Sequence, residues 1–273
     1  MLTPVLQTIR LPAEEDLVTK WCAYPLFAAA TPVCEQMACH FSVLSASHCP
    51  HPPHQHAEEE LLIILDGEAE IVIADGPSFD GARAEVLCAG SFVYYPARQR
   101  YHTIRNPGTA PITYLMFKWR GADRRTGQPR SPAFYHSETF PLPGAQGFVT
   151  QLIFEHPTAY LDKLHGHLTD LKTGAGYAPH TDAYDVAIVV LSGRIETIDR
   201  IAEPFDVIYY PADTPHGMRN AGTSPARYLV FEFHGSRTEQ GLRTLNVSGR
   251  LMRAARWFRR GVLSRLTWIR RIY

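Results

Sequence analysis

His54, His56, Glu60 and His102 are the residues of this 273-residue chain whose types and spacing point most directly to chemistry. Three imidazoles and one carboxylate make a mixed nitrogen and oxygen shell. Such a shell suits one divalent ion of iron, manganese, nickel, cobalt or zinc. Residues two apart on an extended strand point to the same face, so His54 and His56 stand side by side. Glu60 lies on the continuation of that segment. It precedes Leu61-Leu62-Ile63-Ile64-Leu65, an apolar run that reads as a buried strand. His102 has to arrive from a second strand, led in by Ser91-Phe92-Val93-Tyr94-Tyr95. A metal held by four protein ligands keeps a position or two for an oxygenated small molecule, a polarised carbonyl or dioxygen.

The elements that must position these residues occur twice. Phe92-Val93-Tyr94-Tyr95-Pro96-Ala97 is echoed by Val207-Ile208-Tyr209-Tyr210-Pro211-Ala212, and His102 to Asn106 by His216 to Asn220. Gly108-Thr109-Ala110-Pro111 matches Gly222-Thr223-Ser224-Pro225, and Leu61 to Gly67 matches Ala187 to Gly193. Copies about 120 residues apart exceed the roughly 20–50-residue period of a solenoid. They predict two related domains.

His54, His56, Glu60 and Gly67 fall at the spacing of the cupin pattern H-x-H-x3-E-x6-G. Gly90, Pro96, His102 and Asn106 resemble its second pattern. Here His48 replaces the usual leading glycine, one extra residue separates Pro96 from His102, and that turn lacks a glycine. The resemblance implies an all-β fold of two tandem cupin (jelly-roll) β-barrels, a bicupin. The expected boundaries are an N-terminal arm at 1–35, barrel 1 at 36–120, a linker at 121–147, barrel 2 at 148–236 and a tail at 237–273. The arm of such proteins often packs on the partner barrel. The implied function is a metal-dependent enzyme of dioxygenase or isomerase type, acting on a small oxygenated or sugar-like compound. The alternative is a sugar- or ligand-binding or regulatory bicupin with a vestigial site. The second half is also similar to bicupins that accompany bacterial surface-polysaccharide genes. A homodimer is expected.

The second copy keeps part of the ligand set. His180 matches His54 and His216 matches His102, but Asp182 replaces His56 and Val186 replaces Glu60. Asp185, one position earlier, is a candidate substitute carboxylate. A second metal is therefore possible but weaker in nitrogen donors. The alternatives are a barrel kept for the fold, or a pocket for an organic ligand. His40 and His167 occupy matching places in the two repeats. His165 and His167 form a further H-x-H with no nearby carboxylate, which reads as structural. His51 is a candidate proton shuttle or a plain loop residue. Cys22, Cys34, Cys39, Cys49 and Cys88 are odd in number and lack a C-x-x-C pair, which predicts free thiols. Cys49 reads as a small hydrophobe rather than a ligand.

The chain shows no signal-peptide pattern and no apolar run of bilayer length, so a cytoplasmic location is expected. Residues 249–273 carry eight arginines and no acid, in a chain of zero formal net charge. Leu251, Ala255, Phe258, Val262, Leu266 and Ile269 form a helical stripe with Trp257 and Trp268 on its flank. This predicts a C-terminal basic amphipathic helix. It would cover its stripe with an anionic membrane surface, the acidic barrels or a second subunit. No nucleic-acid reading motif accompanies the charge.

Overall fold

The computed structural model describes residues 1–10, 20–123, 131–141 and 147–238. The N-terminal strand is β1 (Val5–Gln7). The first repeat forms β2 (Trp21–Ala29), β3 (Gln36–Leu44), β4 (Glu59–Asp66), β5 (Glu68–Ala74), β6 (Arg83–Cys88), β7 (Phe92–Tyr95), β8 (Tyr101–Arg105) and β9 (Ile112–Arg120). Between the repeats lies β10 (Ala133–Tyr135). The second repeat forms β11 (Phe148–His156), β12 (Lys163–Leu171), β13 (Gly176–His180), β14 (Asp185–Ser192), β15 (Ile195–Thr197), β16 (Arg200–Ala202), β17 (Val207–Tyr210), β18 (His216–Asn220) and β19 (Ala226–His234). Among the described residues no helix is long and apolar enough to cross a membrane. The basic helix expected near the C-terminus lies outside the described residues.

Each barrel pairs a six-stranded sheet with a smaller one. Barrel 1 joins β10-β7-β4-β9-β3-β2 to β6-β5-β8; barrel 2 joins β1-β17-β14-β19-β12-β11 to β13-β18-β15-β16. The two large sheets pack against each other. Leu61, Ile63, Leu65, Phe117 and Trp119 of barrel 1 share one core with Ala187, Val189, Leu229, Phe231 and Phe233 of barrel 2. The alternate residues turn into the barrels: Leu62 and Ile64 in one, Val186, Ile188 and Val190 in the other. This explains why β4 and β14 read as unbroken apolar runs. Both faces of each strand are buried.

Three segments expected outside the barrels pair with them. β2 pairs along β3, so barrel 1 begins within the expected arm. β1 pairs with β17, which carries the N-terminus onto barrel 2. β10, from the expected linker, adds a strand to barrel 1 beside β7. The β1–β17 and β10–β7 pairings join segments far apart in sequence and leave no local signature, and so they escape a reading by composition.

The motif residues outside the ligand set have structural jobs. Asn106 Nδ2 donates to the carbonyls of Leu44, Ser45 and Ala110, and its Oδ1 accepts from Gly108 N. Asn220 repeats this with Leu171, Ser224 and Gly222. Gly67 and Gly193 turn the chain at φ of 82° and 81°. A Cβ there would meet Ile112 Cγ2 at 2.7 Å or Ala226 Cα at 2.5 Å.

Glu59 is fully buried between the barrels. It accepts from Tyr94 Oη at 2.6 Å and Trp119 Nε1 at 2.9 Å on its own barrel, and from Thr158 Oγ1 at 2.6 Å and Ala159 N at 2.8 Å on the other. Glu59→Ala strands these donors. Removing one partner of a buried charged network costs about 3–5 kcal/mol. Equilibrium urea unfolding should show a loss of that order, with Glu59→Gln losing less. A loss under about 1 kcal/mol for the alanine variant would show that the network does not hold the barrels together.

Candidate metal centre

The site starts from an antiparallel bridge. His54 N donates to His102 O at 3.0 Å and His102 N to His54 O at 2.9 Å, which sets the two imidazoles beside each other. His56, two residues on, points the same way. The ring centres lie 5.4 Å apart for His54 and His56, 4.9 Å for His54 and His102, and 5.0 Å for His56 and His102. One ligand atom from each of the three falls within 4.8 Å of the others. His56 Nδ1 is 3.0 Å from Glu58 O and His102 Nδ1 is 3.3 Å from Arg100 O. Those carbonyls fix ring orientation and leave each Nε2 for the interior, the arrangement that metal-binding histidines use. Tyr95 stacks on the His102 ring at 4.0 Å.

Glu60 enters from the adjacent strand, fully buried. Its Oε2 is 3.0 Å from both His56 Nε2 and Lys118 Nζ. Burial pushes its carboxyl up, but the Lys118 charge and the His56 hydrogen bond together hold it well below the usual carboxylate range. Burial lowers His54 to about 4, helped by the nearby His51 and His56, and burial also lowers His102 to about 4. Both imidazoles are thus neutral near pH 7, as a metal ligand has to be. Among the described residues nine buried side-chain atoms lack a hydrogen-bond partner, and four of them meet at this site: His54 Nδ1, His102 Nε2, Glu60 Oε1 and Tyr95 Oη. Buried polar atoms rarely go without a partner. Unpartnered acceptors on three of the four expected ligands fit a divalent cation.

His54, Glu60 and His102 form one wall of a cavity of about 510 Å³, whose other walls include Trp21, Phe27, Leu62, Ile104, Tyr114 and Met116. His40, His51, Thr103 and Lys118 add polar groups. Sequence reasoning missed Lys118. Its signal is the pairing of β4 with β9, which sets it directly opposite Glu60. His51 reaches the cavity, edge-on to His54 at 4.3 Å, with Nδ1 3.3 Å from Thr103 Oγ1. Cys49 instead bonds His51 O and faces Thr103. All five cysteines are free.

In barrel 2, His180 and His216 are register partners, as His54 and His102 are in barrel 1. Asp182 Oδ2 is 3.3 Å from the Nε2 atoms of both. Asp185 does not join them. It lies one residue off the inward-facing position, which Val186 holds, and alternation sends it to the interface. There it accepts from Tyr209 Oη at 2.9 Å and Ala212 N at 2.7 Å. The His165 and His167 pair, expected to be purely structural, does meet a carboxylate, Glu232 of β19.

A domain model described as "Cupin domain" matches residues 42–118 and 167–232. No curated protein matches the chain. Several solved structures share the fold. A protein from Pseudomonas aeruginosa described as glyoxylate-induced aligns at TM-score 0.62 and 13% identity, over 81% of this chain and 83% of that one. A salicylate 1,2-dioxygenase from Pseudoaminobacter salicylatoxidans in complex with gentisate aligns at 0.60 and 12%, over 85% and 82%. An oxalate decarboxylase from Lactobacillus farciminis in complex with formate aligns at 0.54 and 12%, over 74% and 78%.

The Glu60–Lys118 pair predicts a pH dependence. The carboxyl is depressed in the folded state, so its stabilising effect is complete above its unfolded value of 4.5 and fades as pH falls below it. In metal-free protein, Lys118→Met should therefore cost stability at pH 7 and progressively less as pH drops below about 4.5. Urea unfolding across that range checks the sign. A penalty that grows with acid would contradict it.

Proposed function

The chain belongs to the cupin domain family, whose model covers both repeats, and from that premise we propose that barrel 1 is the active centre of a metal-dependent enzyme. Its substrate is a small organic compound with an apolar body and an oxygen-bearing end. His54, His56, Glu60 and His102 hold one divalent transition metal. The observation that carries this is the set of unpartnered, buried ligand atoms in the wall of an apolar cavity.

The bound ion would supply a Lewis acid and, if it is iron or manganese, a redox partner for dioxygen. The protein's own groups do the rest. Glu60 and Lys118 are an internal ion pair in the metal-free site. With Glu60 holding a cation, Lys118 Nζ would face the cavity and could hold a negative end of the substrate. Trp21, Phe27, Tyr114 and Met116 exclude water from around the body of the molecule. His51, at the open side, is placed to carry a proton.

This lining offers few of the hydrogen-bonding groups that a sugar ring requires, so it supports an apolar substrate over a sugar-like one. The salicylate dioxygenase and the oxalate decarboxylase act on or hold small acids, which agrees with the Lys118 position. We therefore favour oxidative chemistry of the dioxygenase type over isomerisation. A binding protein without turnover is the competing reading.

Protein purified without added metal should contain about one equivalent of iron or manganese, lost in His56→Ala and in His102→Ala. Loaded protein should consume oxygen with small aromatic or aliphatic hydroxy acids, followed on an oxygen electrode and by product mass. Lys118→Met should raise KM more than it lowers kcat. Unchanged metal content in both histidine variants would remove the metal site. Metal binding with no oxygen uptake and no altered product would favour the binding protein.

A further inference from the structure

Barrel 2 holds ligand-type residues that lie outside the cupin motif positions: His165 and His167 on β12 and Glu232 on β19. One ligand atom from each lies within 4.8 Å of the other two. The geometry points to a divalent-metal site of two imidazoles and one carboxylate at the mouth of barrel 2, built from residues other than His180, Asp182 and His216.

Register creates the group. His165 is the direct cross-strand partner of Glu232, and His167, two residues on, shares its face. On β19 that face continues through Val230 and Tyr228 into the core of barrel 2, so all three ligands look into the cup. His165 Nε2 and His167 Nδ1 stand 3.0 Å apart. Two ring nitrogens so close repel through their lone pairs unless a proton or a cation lies between them. Glu232 Oε1 is 3.9 Å from His167 Nδ1, close enough to share an ion with it.

The surroundings orient two of the three ligands. His165 Nδ1 is 2.8 Å from Glu155 Oε2, which Lys163 Nζ holds from 3.2 Å. A carboxylate on the far nitrogen of an imidazole fixes the tautomer and strengthens the near nitrogen as a donor to metal. Glu232 Oε2 is 2.8 Å from His234 Nε2, and Tyr184 stacks on that ring at 3.8 Å.

Among the described residues barrel 1 has no such set at the matching positions. By register its matching residues are Ala38, His40 and Lys118. In barrel 1 the cup carboxylate is Glu60, opposite Lys118. In barrel 2 the same pair is Val186 opposite Glu232. The carboxylate has crossed to the neighbouring strand, and a second histidine has appeared beside it. Two imidazoles and a carboxylate suit zinc, ferrous iron, cobalt or manganese and leave positions open. A cavity of about 350 Å³, bordered by His167 and Glu232, gives water or a small oxygen ligand access to them.

The inference stands apart from the barrel 1 reading and can be tested separately. Full-length protein is equilibrated with Zn²⁺, freed of loose metal by gel filtration and analysed for zinc per chain. The variants are His165→Ala, Glu232→Gln, Asp182→Asn and His56→Ala, each checked for fold by circular dichroism. Glu232→Gln and His165→Ala should each bind one ion fewer than wild type, or bind it at least about 10-fold more weakly. Asp182→Asn should keep that ion. The barrel 1 ion, identified by its loss in His56→Ala, should remain in the other variants. Wild-type stoichiometry and affinity in both Glu232→Gln and His165→Ala would overturn the site. Loss of the same ion in Asp182→Asn would also overturn it and assign the metal to the motif position. Should His165→Ala fail to fold, the nearly isosteric Glu232→Gln decides alone.

Discussion

Neighbouring residues on an extended strand face opposite ways, and in β4 and β14 both ways lead into protein. The structure depends on this constraint. In barrel 1 two adjacent glutamates obey it: Glu59 turns to the other barrel and Glu60 to the cup. In barrel 2 the pair is Asp185 and Val186. Asp185 repeats the role of Glu59 with a matching partner, Tyr209 in place of Tyr94. The clasp is reciprocal. Thr158, between β11 and β12, reaches Glu59, while Thr31, between β2 and β3, reaches Asp185. Each barrel lends a loop to satisfy the buried acid of the other.

The same alternation explains what the sequence could and could not disclose. His54, His56, Glu60 and His102 were legible because strand spacing and short loops decide their convergence. The repeat made the matching positions of barrel 2 legible as well, and His180 and His216 are indeed register partners. Asp185 was misplaced because a carboxylate one residue from the right position looks close in sequence, although it is on the wrong face of the strand. Lys118 and Glu232 were invisible for a different reason. Their meaning lies in which residue stands opposite across a ladder, and that register joins segments far apart in the chain. His165 and His167 looked unsupported because their carboxylate comes from the far end of the repeat.

The two cups have diverged in electrostatic design while keeping one backbone. Barrel 1 compensates its buried carboxylate with a lysine and surrounds both with apolar walls. Barrel 2 gives up that carboxylate for valine and gains acid and imidazole around its mouth. The cost of burying charge explains why these changes come together: an isolated ionised group in such a place is expensive, so its partner must change with it. The framework residues, Asn106 and Asn220 and the left-handed turns at Gly67 and Gly193, are untouched by this exchange.

The pairing of β1 with β17 has a consequence for how the chain is made. β1 is synthesised well before its partner β17, with barrel 1 made between them. Until barrel 2 is made, the large sheet of barrel 1 lacks the Ala187, Val189, Leu229, Phe231 and Phe233 side chains that cover Leu61, Ile63, Phe117 and Trp119. Contacts of such long sequence separation form slowly, and open sheet faces invite association during the delay. Completion of barrel 2 therefore decides when the apolar sheet of barrel 1 is covered.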